Sequence, residues 1–203
     1  MKIICIGRNY AKHIEELQNE RPTEPVIFIK PDTAVLAKDH PFVIPEFSQD
    51  IHHEIEIIVK ICKVGKHIDR KFAHKYYDEI SVGIDFTARD LQQTLKEKGL
   101  PWEKAKGFDG SAVIGTFSSK NIFSSLESVK FELTNNKKTV QIGNSSHMLW
   151  KIDEIISYVS QFFTLKIGDI IFTGTPEGVA AVKPGDVLEG FLENKQLFRI
   201  QVK

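Results

Sequence analysis

Apolar residues along this chain alternate with polar ones, or form short continuous runs, more often than they fall at helical spacing. Strands are therefore expected to outnumber helices. Residues 1–6 and 170–172 read as strands, and residues 25–31 as a short buried one ended by proline. Residues 41–45 form an extended piece fenced by prolines, and residues 51–62 a longer strand. A hairpin is expected between residues 129–133 and 139–142 around Asn135-Asn136-Lys137, and two closing strands around Glu193-Asn194. Helical patterns are fewer: a charged piece over 11–19, one over 69–78, one from Thr87 to Lys98 stopped by Gly99, and one over 152–163. In the last, Ile152, Ile155, Ile156, Val159 and Phe163 share a face. Residues 1–203 form one α+β, β-rich domain without linker or repeat.

The alternation places chemistry as well as core. In Ile51-His52-His53-Glu54-Ile55-Glu56-Ile57-Ile58-Val59, Ile55, Ile57 and Val59 point one way and Glu54 and Glu56 the other. Taken alone, Glu-x-Glu on a strand is the wet face of a half-buried sheet. Asp85 changes that reading, because Val82, Ile84 and Phe86 go inward around an acid that then needs a partner. If the two strands lie close, three carboxylates converge, and three oxygen donors with open positions suit Mg²⁺ or Mn²⁺ better than zinc or copper.

Lysine plus arginine equals aspartate plus glutamate, at 27 each, so no electrostatic footprint for nucleic acid is present. Cys5 and Cys62 lie in apolar runs without redox or metal spacing and read as reduced core thiols. No signal peptide or spanning stretch is apparent, and a cytoplasmic location is expected. His13 and Glu16 sit three apart on one helical face, which permits a base oriented by a carboxylate as well as a plain surface histidine.

Several motifs then follow in order: Gly7-Arg8-Asn9-Tyr10-Ala11-x-His13, Phe28-x-Lys30-Pro31, His52-His53-Glu54-x-Glu56 and Asp85-x-Thr87-Ala88-Arg89-Asp90-x-Gln92. Gly99-Leu100-Pro101-Trp102 with Ala105-Lys106, and Thr173-Gly174-Thr175-Pro176-x-Gly178-Val179, complete the set. Together they resemble the fumarylacetoacetate hydrolase family, in its short single-domain branch of acylpyruvate hydrolases and oxaloacetate decarboxylases or tautomerases. The resemblance covers nearly the whole chain. It implies a mixed, rolled sheet forming a pseudo-β-barrel with peripheral helices, and a homodimer. Glu54, Glu56 and Asp85 match the family's metal ligands, and His13 and Glu16 its base and partner on a lid, here residues 9–20. Lys106 and Gln92 match polar groups at the metal, and Thr175 a substrate-side hydroxyl. Arg8, Lys30 and Arg89 are candidates for holding a substrate carboxylate, with buried ion pairing as the alternative for Arg8 and Lys30 and a structural role for Arg89. His52 and His53 are expected to pack or support rather than ligate. Asp32 departs from the family pattern, where a small hydroxyl residue is common.

The implied substrate is a small 2-oxo acid with a second carbonyl. Acylpyruvate hydrolysis, oxaloacetate decarboxylation or tautomerisation, and isomerisation of a hydroxyheptadienedioate all pass electrons onto the carbon beside the keto group. Hydrolysis additionally needs a water activated by His13, and it leads the reading. A non-enzymatic protein holding a structural cation would leave His13, Glu16, Gln92 and Lys106 without a task.

Overall fold

In the computed structural model, which describes residues 1–18 and 20–203, the chain opens with β1 (Ile3–Gly7), helix α1 (Ala11–Glu16) and β2 (Val26–Lys30). β3 (Ile51–His53) and β4 (Ile55–Ile61) follow, interrupted at Glu54. Helix α2 (Arg70–Ala73) is one turn, capped by the Asp69 carboxylate, which accepts from Lys71 N at 3.0 Å. Next come β5 (Tyr77–Asp85), β6 (Thr87–Ala88), helices α3 (Arg89–Glu97) and α4 (Glu103–Lys106), β7 (Ala112–Ile114) and β8 (Ser118–Ser119). The last part holds β9 (Lys130–Asn135), β10 (Lys138–Asn144), α5 (Ile152–Phe162), β11 (Ile170–Phe172), β12 (Ala180–Ala181), β13 (Val187–Leu192) and β14 (Lys195–Gln201).

Among the described residues the main sheet runs β2-β1-β11-β4-β5-β7, with β8 also on β5. Only the β1–β11 pair in it is parallel, so the sheet is mixed. A second sheet has order β10-β9-β13-β14, and a small one β12-β3-β6; together they curl into a half-barrel with few helices. β4 is buried on both faces. Ile55, Ile57, Val59 and Ile61 enter the larger core, while Ile58 joins Ile3, Cys5, Ala34, Ala112, Ile170 and Phe172 in a second one. Glu56 therefore lies beside core residues and not on a wet face.

Several expected elements change. Helix 11–19 ends at Glu16, where Gln18 turns into the left-handed region (φ 51°); its expected Asn19 end lies outside the described residues. Strand 25–31 is half-buried, because β2 is the sheet's edge. The helix expected over 69–78 stops at Ala73, since β5 begins at the buried Tyr77. Between α3 and β7, where no helical pattern was expected, the chain forms the short helix α4. Cys5 is buried as expected, whereas Cys62 lies just past β4 and is half-buried. The hairpin holds, with Asn136 (φ 51°) and Lys137 (φ 67°) both left-handed as a two-residue turn requires. Among the described residues no helix is long and apolar enough to cross a membrane.

Candidate metal centre

The β4–β5 pair builds the site. Ile55 lies opposite Ile84 and Glu56 opposite Gly83, and Asp85 N donates to Glu54 O at 2.9 Å. A Cβ on Gly83 would come within 2.4 Å of Val113 O and 2.9 Å of the Phe172 ring, so only glycine fits beside Glu56. One oxygen from each of Glu54, Glu56 and Asp85 lies within 4.8 Å of the others, and all three residues are buried. Asp85 Oδ1 has an ion pair with Lys30 Nζ at 2.7 Å but no aligned hydrogen bond, leaving lone pairs open to a cation. An all-oxygen donor set with such an oxygen fits a hard divalent ion.

Cations surround the acids. Lys106 Nζ, carried in by α4, donates to Glu54 Oε2 at 2.8 Å, Asp85 Oδ2 at 2.7 Å and Thr87 Oγ1 at 2.5 Å. Arg89, at the start of α3, donates from Nη2 to Glu54 Oε1 and from Nη1 to Gln92 Oε1 at 2.8 Å. Burial alone would raise the Glu54 carboxyl, but Lys106 and Arg89 hold it well below the ordinary range. Glu56 has no cation in ion-pair contact among the described residues, and Lys106 acts on it only from farther off. Burial, then the charges of Asp85 and Glu54, push its carboxyl well up, against the Gly174 N–H that donates to Oε2 at 2.6 Å. Burial works against the Lys106 ammonium, but Asp85 and Glu54 prevail and raise its pKa.

Helix α1 and the Thr-Gly-Thr loop close the other sides. His13 is buried and lines the same cavity as the three acids, together with Arg8, Arg89, Gln92, Lys96, Lys106 and Thr175. Its Nδ1 lies 3.2 Å from Glu16 Oε2, and Glu16 Oε1 accepts from Gly178 N at 2.9 Å. Asn9 fixes the chain just before α1: its Nδ2 donates to Thr173 O at 2.7 Å and its Oδ1 accepts from Trp150 N at 2.8 Å. Gly174 (φ 103°) packs so near Asn9 that a Cβ would sit 2.7 Å from the asparagine Cβ. The cavity is only about 50 Å³, far below the roughly 300–1,000 Å³ of ordinary small-molecule pockets. A wider groove of about 910 Å³, lined by Arg70, Tyr77, Lys120 and Lys151 among others, holds none of these residues.

Of the residues singled out from the sequence, Glu54, Glu56, Asp85, His13, Gln92, Lys106, Arg8, Arg89 and Thr175 all line this one cavity, and Glu16 stands behind His13. Lys30 does not. It is fully buried, paired with Asp85 and bonded to Lys106 O, Ser111 O at 3.2 Å and Ser111 Oγ at 2.9 Å, the buried ion pairing that was the alternative for it. Lys106, expected as a polar group at the metal, makes three bonds, to Glu54, Asp85 and Thr87. Arg89 bonds Glu54 and Gln92 and lines the cavity. His52 pairs with Asp50 at 2.9 Å. Burial holds the His53 imidazole below its ordinary value, and its Nδ1 lies 3.0 Å from Gln141 Oε1.

Gln141 and Lys96 were not anticipated. Gln141 Oε1 also accepts from Ile55 N at 3.0 Å, and its Nε2 donates to Thr175 Oγ1 at 3.0 Å and Pro176 O at 3.0 Å, tying the loop to the acid-bearing strand. No sequence motif contains it. Lys96 follows Gln92 by four residues and Arg89 by seven, a helical repeat that could have placed it on the cavity side of α3.

The family model for the C-terminal domain of fumarylacetoacetate (FAA) hydrolase matches residues 2–202. The chain is 40% identical over 188 residues to oxaloacetate tautomerase YcgM of Escherichia coli (strain K12), covering 92% of this chain and 86% of that protein. It is 41% identical over 189 residues to the mitochondrial oxaloacetate decarboxylase of Dictyostelium discoideum, covering 93% and 87%. Among solved structures it resembles fumarylpyruvate hydrolase of Pseudomonas aeruginosa in complex with Mn²⁺ and pyruvate, with a TM-score of 0.92 at 35% identity, over 100% of this chain and 89% of that one.

Proposed function

The chain belongs to the fumarylacetoacetate hydrolase family, and from that we propose a Mg²⁺- or Mn²⁺-dependent enzyme acting on small 2-oxo acids that carry a second carbonyl. The leading reaction is hydrolysis of the carbon–carbon bond of an acylpyruvate to pyruvate and a carboxylic acid. The observation that carries this reading is the buried triad of Glu54, Glu56 and Asp85 facing the same small cavity as the His13–Glu16 pair.

Glu54, Glu56 and Asp85 would hold the ion. When bound, it supplies a Lewis acid for the 2-oxo acid's oxygens and a counter-charge for the electrons released beside the keto carbon. Lys30, Lys106 and Arg89 balance the three carboxylates, so the charge an ion brings is left for an anionic substrate. His13, its Nδ1 side held by Glu16, presents the other ring nitrogen as base for a water that adds to the second carbonyl. The bond to the pyruvate fragment then breaks and its electron pair stays on that fragment. Thr175 Oγ1 accepts from Gln141, which turns its own proton toward the cavity. Gln92 accepts from Arg89 through Oε1 and keeps its amide N–H groups for substrate or water. Residues 9–20 serve as the lid that shuts out solvent.

Oxaloacetate tautomerisation or decarboxylation is the second reading, favoured by the relatives of about equal identity that bear those names. A panel of acetylpyruvate, fumarylpyruvate and oxaloacetate, assayed with each metal on one preparation, tests both. Turnover of an acylpyruvate above the metal-only control supports the first; turnover of oxaloacetate alone replaces it with the second. No turnover of any of the three rejects the proposal. The same family likeness leads us to propose a homodimer, to be read by sedimentation.

A further inference from the structure

The chain as a whole is neutral, but one stretch of it is not. Residues 60–75 hold six of the 27 basic residues, Lys60, Lys63, Lys66, Arg70, Lys71 and Lys75, against one acid, Asp69. They run from the end of β4 through α2. Gly65 N donates to Leu165 O at 3.1 Å and Gly168 N to Ile61 O at 2.8 Å, which brings Lys166 alongside. Cys62 N donates to Tyr76 O at 2.9 Å, and Lys120 reaches the same region by donating to His74 O. Lys60, Arg70 and Lys71 have carboxylate partners, Glu79 at 2.6 Å, Glu154 at 2.8 Å and Asp69 at 3.3 Å. Lys63, Lys66, Lys75, Lys120 and Lys166 have none in ion-pair contact among the described residues. Lys63 stands over Tyr76 at 5.3 Å, Lys75 over Phe72 at 5.2 Å and Lys120 over Tyr77 at 4.3 Å, and Lys66 donates to Gln161 O at 2.9 Å. Asp78 is near enough to act on Cys62, so one further carboxylate is set against five lysines. Among these cations three large apolar side chains face solvent: Phe72 at 46% exposed, Val64 at 56% and Ile167 at 69%.

We propose that this face docks on an anionic lipid surface, with the lysines among the headgroups and Phe72, Val64 and Ile167 at the acyl boundary. Exposed apolar side chains ringed by cations match a bilayer, whose negative headgroups overlie an apolar layer. The lysine stems lie along aromatic rings and leave the ammoniums outward, the arrangement that spans such a boundary. A nucleic acid fits less well. The one arginine of the stretch is engaged with Glu154, and Val64 and Ile167 offer no ring on which a base could stack. A second copy also fits less well, because a two-fold axis through this face sets like charges against like. Helix α2 is a single turn and cannot lie in the interface as an amphipathic helix, so the contact is peripheral and salt-sensitive. No residue of this face lines the metal cavity, so the inference is independent of the proposed reaction.

The test is co-sedimentation of the full chain with vesicles of phosphatidylcholine alone and of phosphatidylcholine with about 30 mol% phosphatidylserine, at about 0.1 M salt. Wild type should partition onto the anionic vesicles at least about a hundredfold better than onto the neutral ones, and lose most of that preference at about 0.5 M salt. Replacing three lysines together, Lys63→Gln, Lys66→Gln and Lys75→Gln, should weaken partitioning onto the anionic vesicles by about a hundredfold. Phe72→Ser should weaken it by about tenfold. Thermal melts check that each variant folds; if the triple variant does not, Lys63→Gln with Lys75→Gln replaces it, with an expected loss of about thirtyfold. Equal partitioning onto both kinds of vesicle overturns the proposal, as does binding indifferent to either the lysine or the Phe72 change. Complete displacement from the anionic vesicles by an equal charge of oligonucleotide or of polyglutamate also overturns it, giving the face to a nucleic acid or an acidic protein. A lipid-free sedimentation coefficient that changes in the lysine variant overturns it in favour of a second copy.

Discussion

The Glu16 carboxylate joins helix α1 to Gly178. One oxygen accepts from the Gly178 N–H at 2.9 Å while the other lies 3.2 Å from His13 Nδ1. The position of α1 and the histidine orientation are thus set by one side chain. Glu16→Gln keeps the size but cannot accept at both ends, so kcat should fall by about tenfold or more, below the roughly 10²–10⁴-fold worth of the base itself. The exposed Lys12–Glu177 pair at 3.5 Å spans the same gap, yet Lys12→Ala should shift the melting temperature no more than an ordinary surface substitution. Steady-state kinetics and thermal melts of the two variants check this; a larger effect from Lys12 would reverse the assignment.

His13→Ala separates the reactions that share the site. Hydrolysis needs an activated water and should drop by about 10²–10⁴-fold, whereas decarboxylation of oxaloacetate needs no such water and should survive in part. Parallel assays on acetylpyruvate and oxaloacetate decide it, and equal loss of both contradicts the role given to His13.

Lys30→Met removes a buried partner of Asp85 while keeping the stem's bulk. Breaking a buried pair typically costs about 3–5 kcal/mol, so the metal-free variant should melt well below wild type. A divalent ion replaces part of the missing charge, so adding Mg²⁺ should raise the variant's melting temperature more than that of wild type. An equal rise in both would mean that Lys30 does not act through Asp85.

Away from the site, Asp169 accepts from Lys2 Nζ at 2.5 Å, Lys2 N at 2.8 Å and Lys166 N at 2.8 Å, clamping the start of β1 to β11. Burial would raise its carboxyl, but these bonds prevail and lower it from 3.8. A depressed native pKa adds stability that is full above the unfolded value and is lost as pH falls through the native one. Asp169→Asn should therefore cost about 1–3 kcal/mol near neutrality, and the gap from wild type should narrow below about pH 4. Urea melts across that range test it; a gap that widens in acid has the wrong sign.

Much of the site was legible because period-two alternation and motif order place Glu54, Glu56 and Asp85 on strands and His13 with Glu16 on one helical turn. What alternation could not reveal is that the opposite face of β4 is buried too, since Ile58 alone did not announce a second core. Lys30 was open to reading as a substrate ligand or as a buried ion pair, because the partner that decides between them, Asp85, lies far along the chain. Gln141 was hidden by its own strand. The register shifts between Thr139 and Gln141, so Gln141 turns inward while Ile142 is left 65% exposed, the reverse of what hydrophobicity suggests. Lys96 was legible in spacing but carried no motif of its own.

The most direct measurement is a crystal grown with Mn²⁺ and pyruvate, with anomalous scattering recorded near the manganese edge. The account predicts a single strong peak enclosed by Glu54, Glu56 and Asp85, with pyruvate beside it under the His13 lid. Three acids turned apart, with no anomalous density among them, would contradict it.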